Sequence, residues 1–126
     1  MRLKMKKILI VDDEEKVRKL VEVTLSVGEL EILHASSGDE ALNVVRETKP
    51  DLILLDVMMP GKLDGLDVCR ILKKDPETKD IYIIILTAKG QQVDKENGFA
   101  AGADDYFVKP FSPMELMDKI DGILAE

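Results

Sequence analysis

Residues 51–56, Asp-Leu-Ile-Leu-Leu-Asp, place four consecutive apolar side chains between two carboxylates. A run that is apolar at every position is typical of a strand covered on both faces, as the strands of a parallel sheet are. Few structural needs put a carboxylate directly after such a run, so Asp56 is the first candidate functional residue. Four more short apolar runs predict strands, at residues 7–11, 30–35, 81–86 and 106–108.

Five helices are predicted from apolar side chains at helical spacing and from residues that favour helix starts. They begin near Glu14, at the capping box Ser37–Glu40, after Gly65, near Gln91 and at the capping box Ser112–Glu115. The first places Val17, Leu20, Val21 and Leu25 on one face, and the fourth is weaker because Gly98 interrupts it. Strand and helix alternate five times, which predicts a doubly wound α/β domain with helices on both faces of the sheet.

Composition limits the size and the class of the protein. A chain of 126 residues is long enough for one domain, residues 1–126, that buries about two thirds of its unfolded surface. Lys and Arg total 18 against 25 Asp and Glu, and aromatic residues make up 4%, which disfavours direct nucleic-acid binding. The single cysteine, Cys69, excludes an internal disulfide, and no apolar stretch approaches the roughly 20 residues of a membrane span. We expect a cytoplasmic domain with no membrane partner.

Polar residues collect at the predicted carboxyl ends of the strands. Asp12 and Asp13 follow the first strand, Asp56 the third, Thr87 the fourth and Lys109 the last. In open α/β sheets ligands bind at this edge, so these side chains are expected to meet. Three carboxylates raise one another's pKa unless a cation joins them, and Mg²⁺ is the suitable cation for so few protein oxygens. A carboxylate nucleophile, a metal, an ammonium and a hydroxyl together predict phosphoryl transfer onto an aspartate.

These residues, in this order, closely resemble the receiver domain of two-component response regulators over essentially the whole chain. The matching strings are Ile-Leu-Ile-Val-Asp-Asp-Glu (8–14), Leu-Leu-Asp-Val-Met-Met-Pro-Gly (54–61), Leu-Thr-Ala-Lys (86–89) and Tyr-Phe-Val-Lys-Pro-Phe (106–111). The resemblance implies a flavodoxin-like five-stranded parallel sheet in the order 2-1-3-4-5, the order already known for members of this family.

The resemblance also implies the chemistry of the site. Asp56 accepts a phosphoryl group from a phosphohistidine on a sensor histidine kinase. Asp13 is the main Mg²⁺ ligand, Asp12 assists through water, and the Met58 backbone carbonyl completes the set. The implied activity is limited to the domain's own phosphorylation and dephosphorylation, so the protein is not expected to be an enzyme for other substrates.

The resemblance further implies a switch between two signalling conformations. Thr87 and Lys109 sense the phosphoryl group, Tyr106 swings inward behind Thr87, and the bond between Lys109 and Pro110 is cis. The kinase docks at the first helix, and a downstream protein of unknown identity binds the fourth helix, last strand and fifth helix. The domain is expected to be a monomer or a phosphorylation-dependent dimer.

Two features differ from the family pattern. The segment 60–65 looks one residue longer than the usual loop after the phosphorylated strand. Met58 and Lys89 occupy the positions two residues after Asp56 and Thr87, where the family sets the access of water to the acyl phosphate. We hypothesise that both side chains shield the phosphorus and prolong the phosphorylated state.

Alternative functions use the same residues differently. A phosphatase of the haloacid dehalogenase type would use Asp12 as the nucleophile, but Glu14 stands where that family has a second aspartate, and Asp56 is left without a role. A flavodoxin-like electron carrier would place an FMN phosphate against the acids at 12–15, which would repel it. An inactive receiver would act only as a docking module. The acids could also be solvated strand ends or helix caps, with Asp13 capping the first helix.

Other chemically notable residues have simpler interpretations. His34 is expected to be a partly exposed filler and Cys69 a side chain on the inner face of its helix. The pair Asp104–Asp105 and the run Lys73–Asp75 are expected to be solvated turn charges, and the methionines to fill the core.

Overall fold

The computed structural model of the chain describes residues 6–26, 29–88, 92–109 and 111–125, with the backbone alone at residues 88 and 92–95. Five strands alternate with five helices in this part of the chain, which confirms the predicted alternation. The strands are β1 (Lys6–Val11), β2 (Leu30–Ala35), β3 (Leu52–Asp56), β4 (Tyr82–Ala88) and β5 (Asp105–Lys109). The helices are α1 (Glu15–Leu25), α2 (Gly38–Thr48), α3 (Gly65–Lys74), α4 (Gln92–Ala100) and α5 (Pro113–Leu124). None of the described helices is both long and apolar enough to cross a membrane.

The five strands form one parallel sheet in the order β2-β1-β3-β4-β5, as the resemblance implied. The strand order reverses between β1 and β3, so the carboxyl ends of these two strands flank the usual ligand-binding crevice of such sheets. The register pairs Val11 with Leu55 across this reversal, and Asp56 with Leu86 on the next strand. The residues that follow β1 and β3 therefore lie side by side.

Alternate residues of each central strand enter two separate cores, because successive side chains of a strand point to opposite faces. The odd-numbered residues Leu9, Ile53 and Ile85 belong to the core beneath α2 and α3. The even-numbered residues Ile10, Leu54 and Ile84 belong to the core beneath α1 and α5. All six side chains are completely buried, which explains why these strands are apolar at every position. Burial of a Leu or Ile side chain contributes about 1.5–3 kcal/mol each.

The side-chain hydrogen bonds at the helix N-termini differ in part from the capping boxes that the sequence predicts. The Ser37 hydroxyl accepts from the Glu40 N–H, but the Glu40 carboxylate accepts from Ser36 instead of completing the predicted capping box. A full capping box that the sequence analysis missed joins Asp64 and Asp67 at the start of α3. The N-cap of α5 is Ser112, with Pro113 following it as predicted.

The structure contradicts the expected apolar face of α1 and also the alternative in which Asp13 caps this helix. Its N-cap is Glu14, so Asp13 does not cap the helix. Leu20 is 50% exposed, whereas Val21 and Leu25 are buried. The buried stripe of α1 is therefore narrower than the apolar spacing indicated.

Glycines allow two close approaches that bear on the site. A Cβ on Gly65, the first residue of α3, would lie 2.1 Å from the backbone oxygen of Asp56. A Cβ on Gly98 would lie 2.0 Å from Cδ1 of the buried Ile85. These glycines let α3 and α4 pack against the end of β3 and the middle of β4. The interruption of the fourth helical pattern therefore has a packing cause.

Lys73, Asp104 and Asp105 have structural partners, contrary to the expectation that they are solvated turn charges, whereas Lys74 is exposed as expected. The Lys73 ammonium donates to the backbone oxygens of Lys79 and Ile81 and to the Asp104 carboxylate. The same Asp104 oxygen accepts the N–H of Ile83 at 2.8 Å. Asp104 therefore ties the start of β4 to the loop before β5, with Lys73 completing the link to α3. The neighbouring Asp105 pairs with the ammonium of Lys119 on α5.

Candidate functional site

Asp12, the first residue after β1, contributes a buried carboxylate to the site. Its N–H donates to the Ala35 carbonyl at 3.1 Å, which extends the pairing with β2 by one residue. The Asp12 side chain is completely buried. Both of its oxygens have partners: Oδ1 accepts the Glu14 N–H at 2.9 Å, and Oδ2 accepts from the Lys109 ammonium at 2.8 Å. A buried charge needs such partners to be tolerated.

Asp56, the last residue of β3, lies beside Asp12 and is 7% exposed. Its Oδ1 is 3.2 Å from the Lys109 ammonium. Burial, followed by repulsion from the Asp12 carboxylate, raises the pKa of Asp56 to about 6, although Lys109 acts in the opposite direction. Two buried carboxylates thus share one ammonium, and Asp56 is the less completely compensated of the two.

Lys109 reaches this pair from the end of β5. Its side chain is 23% exposed, so the ammonium is partly withdrawn from water. Burial, the largest single influence, would lower the pKa of Lys109, but the adjacent carboxylates of Asp12 and Asp56 together raise it above its usual value. Lys109 is therefore a fixed positive charge at physiological pH.

Thr87 completes the predicted set from β4. The sheet register pairs Asp56 with Leu86, and Thr87 is the next residue along β4. Thr87 also pairs with Val108, the neighbour of Lys109. Thr87 is 2% exposed and therefore lies largely out of contact with water near the carboxyl end of β4, and it is not among the described residues that line the cleft over the acids.

The three acids could hold a hard cation. One carboxylate oxygen from each of Asp12, Asp13 and Asp56 lies within 4.8 Å of the others. Asp13 is exposed, so a cation here would keep access to water, as Mg²⁺ prefers. Three carboxylates face one contacting ammonium, which leaves an excess of negative charge for a divalent ion to neutralise. The donor set and the charge both fit magnesium.

An open cleft of about 340 Å³ lies over these acids. It is lined by Asp13, Glu14, Asp56, Val57, Met58, Leu86 and Lys109. The Met58 side chain is 72% exposed and lines this cleft together with Asp56. The partner position in the shielding hypothesis, Lys89, lies outside the described residues, as does Pro110 with the predicted cis bond.

Tyr106 lies on the side of β5 that faces α4. Its ring meets the Phe99 ring edge-on, with centroids 5.8 Å apart and planes at 89°. It is half-buried and packs against the core beneath α2 and α3. The structure thus places Tyr106 between the sheet and α4, three residues before Lys109, while Phe99 is 46% exposed.

The sequence analysis missed two residues around the acids. Glu14 lines the cleft, and its place directly after the acid pair was the available signal. Arg18 lies one turn into α1 and donates from Nη1 to the Asp12 backbone carbonyl at 2.6 Å. No spacing pattern in the sequence distinguishes that arginine from a solvated one.

The simpler interpretations of two other residues are confirmed. Cys69 is buried on the inner face of α3, and burial raises the pKa of its thiol to about 11, which makes it unreactive. The His34 Nε2 is 3.0 Å from a carboxylate oxygen of Glu22, and its side chain is partly exposed.

The fold and the site define a doubly wound α/β domain with an acidic, lysine-containing site at its topological switch point. The family model for the response regulator receiver domain matches residues 8–121. The chain belongs to this family, and it is a receiver domain of two-component response regulators.

Relatives and solved structures agree with this family. The chain is 48% identical over 119 residues to the phosphate regulon transcriptional regulatory protein PhoB of Pseudomonas aeruginosa, covering 94% of this chain and 52% of PhoB. It is 48% identical over 118 residues to the transcriptional regulatory protein ResD of Bacillus subtilis, covering 94% of this chain and 48% of ResD. A crystal structure of a candidate response regulator from Chloroflexus aurantiacus superposes with a TM-score of 0.91 at 41% identity, covering 98% of this chain and all of that one. The chain spans about half the length of the curated relatives it matches.

The comparisons do not support the phosphatase alternative. Its nucleophile would be Asp12, whose two oxygens already accept from Glu14 and Lys109. Asp56, which that alternative leaves unused, faces the cleft.

Proposed function

We propose that Asp56 is the phosphoryl acceptor of this receiver domain and that the donor is a phosphohistidine on a sensor histidine kinase. The observation that carries this assignment is the position of Asp56: its carboxylate lines the open cleft while contacting Lys109 at 3.2 Å. Asp12 is closed off by its partners, and Asp13 has no such ammonium contact among the described residues. Asp56 is therefore the acid that combines access with charge compensation.

In the transfer, an Asp56 oxygen forms a bond to phosphorus as the bond from phosphorus to the histidine nitrogen breaks. The electron pair of the broken bond stays on the departing imidazole. Asp56 has to be unprotonated to attack, and a pKa of about 6 leaves it mostly ionised above neutral pH. Lys109 neutralises charge that gathers on the phosphoryl oxygens, and the Thr87 hydroxyl donates to one of them.

We assign the magnesium site to the carboxylates of Asp12, Asp13 and Asp56 together with the Met58 backbone carbonyl. Asp13 is the exposed member and the main ligand, whereas Asp12, with both oxygens bonded, assists through water. The ion, when bound, would neutralise the acids and the incoming phosphoryl oxygens. Asp12 and Asp13 contribute by holding their oxygens in place before the donor arrives.

We propose that phosphorylation acts on the face formed by α4, β5 and α5. Thr87 and Lys109 sense the phosphoryl group, and Tyr106 moves inward behind Thr87, away from Phe99. An open cleft of about 550 Å³ on this face is lined by β5 and α5 residues, among them Tyr106, Phe107 and Lys119. A downstream protein or a second copy of the domain would bind here, so the domain would be a monomer or a phosphorylation-dependent dimer. The kinase would dock beside α1, next to Asp13.

These proposals concern the 126 residues and not a longer protein. PhoB and ResD are named transcriptional regulators, and the chain corresponds to about half of each. With a net charge of -7, this domain is proposed to act through protein contacts and not by binding nucleic acid itself. We place it in the cytoplasm, with no activity beyond its own phosphorylation and dephosphorylation.

Mass spectrometry after incubation with acetyl phosphate and Mg²⁺ tests the acceptor. We expect one phosphoryl adduct on the wild type, none on Asp56→Asn, and an unchanged adduct on Asp118→Asn, which replaces an exposed acid on α5. Chelation of the metal should abolish the adduct. An adduct retained by Asp56→Asn, or lost equally in Asp118→Asn, would contradict the assignment.

Met58 is proposed to lengthen the life of the acyl phosphate by covering the cleft. Its 72% exposed side chain can fold over Asp56 without disturbing the core. The shorter polar side chain of Met58→Asn should admit water and shorten the half-life several-fold. Decay of the purified phosphoprotein, followed by the same mass measurement, gives the comparison. Equal half-lives would remove the shielding role.

A further inference from the structure

Arg18 holds the peptide group that joins the first two acids of the site. Its Nη1 donates to the Asp12 backbone carbonyl at 2.6 Å. That carbonyl belongs to the same planar unit as the N–H of Asp13, so fixing it restricts the backbone rotation on both sides. The Asp13 carboxylate is positioned by this peptide, since Asp13 itself is exposed on the loop between β1 and α1.

The side chain of Asp12 is fixed independently of its backbone carbonyl. The Asp12 carboxylate accepts from the Glu14 N–H at 2.9 Å and from the Lys109 ammonium at 2.8 Å. With its carbonyl held by Arg18, Asp12 is bound at its backbone and at both side-chain oxygens. The direction in which the chain presents Asp13 then depends on the contact from Arg18 together with the hydrogen bond from the Glu14 N–H, which spans Asp13.

The guanidinium of Arg18 is partly buried. Its Nε is buried and makes no hydrogen bond to any atom of the described residues. Hydrogen bonds from Ser36 lower the pKa of Glu40 most, and the positive charge of Arg18 lowers it further. A partly unsatisfied buried cation needs nearby negative charge or a fixed acceptor to be tolerated, and the acid loop supplies both.

We infer that Arg18 is a positioning residue for the magnesium site, acting through the peptide between Asp12 and Asp13. This inference rests on the proposed function, because it assumes that these acids hold the ion. Mutation of a residue that orients a metal ligand without binding the metal itself typically lowers metal affinity by 10–100-fold. Because Arg18 touches only the backbone of a buried ligand, we expect the lower end of that range.

Magnesium affinity, measured by nuclear magnetic resonance titration of the unphosphorylated protein, tests the inference without using activity. We expect Arg18→Gln to raise the dissociation constant about tenfold. Arg18→Lys keeps the charge and one donor but not the planar fork, so its constant should fall between those of the wild type and Arg18→Gln. Arg46→Gln, a change of an exposed arginine on α2, should leave the constant unchanged.

A second control separates positioning from general loss of stability. Ile120→Val trims a completely buried side chain of α5 and should lower the free energy of unfolding without touching the acid loop. Wild-type affinity in Arg18→Gln, or an equal loss of affinity in Ile120→Val, would overturn the positioning role while leaving the proposed function intact. If the wild type itself bound no Mg²⁺, the proposed magnesium site and this inference would both fail. If Arg18→Gln does not fold, an Arg18→Lys protein with wild-type affinity would likewise overturn the role.

Discussion

Replacing Asp56, the proposed acceptor, should make the metal-free domain more stable at neutral pH. Asp56 is 7% exposed, and its carboxylate lies beside that of Asp12 with Lys109 as a shared counter-charge. Asp56→Asn keeps the size of the side chain and removes one negative charge from this group. Lys109 retains its hydrogen bond to Asp12, so the variant leaves no ammonium without a partner.

The size of the effect follows from the pKa of Asp56, which burial and then Asp12 raise from 3.8 to about 6. Each unit of difference between the folded and unfolded states corresponds to about 1.4 kcal/mol, so full ionisation destabilises the fold by at most about 3 kcal/mol. This upper bound already includes the attraction between Asp56 and Lys109, which acts against the rise in pKa. We therefore expect Asp56→Asn to raise the free energy of unfolding by about 1–2 kcal/mol at pH 7.5.

The difference should depend on pH with a definite sign. An acid whose pKa is raised on folding binds its proton more tightly in the folded state, so the wild type loses stability as pH rises from about 4 through 6. Below about pH 4, Asp56 is protonated in both states and the two proteins should have similar stabilities. The gap should open between pH 4 and pH 6 and remain constant above.

Urea unfolding at several pH values, with a chelator present, measures this gap. Asp118→Asn is the matched control, because it removes the same charge from an exposed position on α5, and it should change stability little at any pH. Added Mg²⁺ should stabilise the wild type more than Asp56→Asn and narrow the gap, since the ion binds the folded state. A variant that is no more stable than the wild type at pH 7.5, or a gap that is the same at pH 4, would refute the reasoning.

Two further predictions concern packing away from the acids. Gly98→Ala would place a Cβ 2.0 Å from Cδ1 of the buried Ile85, so it should lower the free energy of unfolding by about 1–3 kcal/mol despite alanine's better helix propensity. In the control Gly122→Ala on α5, the new Cβ meets nothing within 4 Å, so this variant should be neutral or stabilising by up to about 1 kcal/mol. Urea titrations in which Gly98→Ala is the more stable variant would contradict the packing argument. Lys73→Met removes the ammonium that joins α3 to the loop before β5 and should lower the free energy of unfolding by about 1–3 kcal/mol. The control Lys74→Met, at an exposed position, should change the free energy of unfolding little. Equal effects of the two changes would show that the link is not structural.

The parallel sheet and the site edge were predictable because the central strands are buried on both faces, whereas the strand order came from the family resemblance. Residues 52–55 are apolar at every position for that reason, and an acid directly after them stands out. The ends of β4 and β5 were placed one or two residues short, since pairing continues through the polar Thr87 and Lys109, which no apolar pattern marks. Thr87 and Lys109, which carry part of the proposed chemistry, thus lie within the last two residue pairs of the ladder between β4 and β5.

Contacts between distant segments could not be predicted from the sequence. Asp104 looks like a turn charge, but its carboxylate accepts a backbone N–H of β4, a role that depends on where the loop passes. Gly98 looks like a defect in a helix until the distance to Ile85 is known. Arg18 lies on a helix with other charged residues, and only its reach to the Asp12 carbonyl distinguishes it. In each case the sequence shows the residue type, and the fold decides its partner.

The contact between Lys109 and Asp12 supports the proposal that phosphorylation of Asp56 acts on the face formed by α4, β5 and α5. It joins residues 97 positions apart, at the end of β5 and just after β1. The same ammonium also contacts Asp56, so a change in charge on Asp56 alters the balance of forces on Lys109. Lys109 is the last residue of β5, the edge strand that carries Tyr106 against Phe99 of α4. We therefore propose that charge on Asp56 is coupled to the packing of α4 partly through Lys109, alongside the proposed roles of Thr87 and Tyr106.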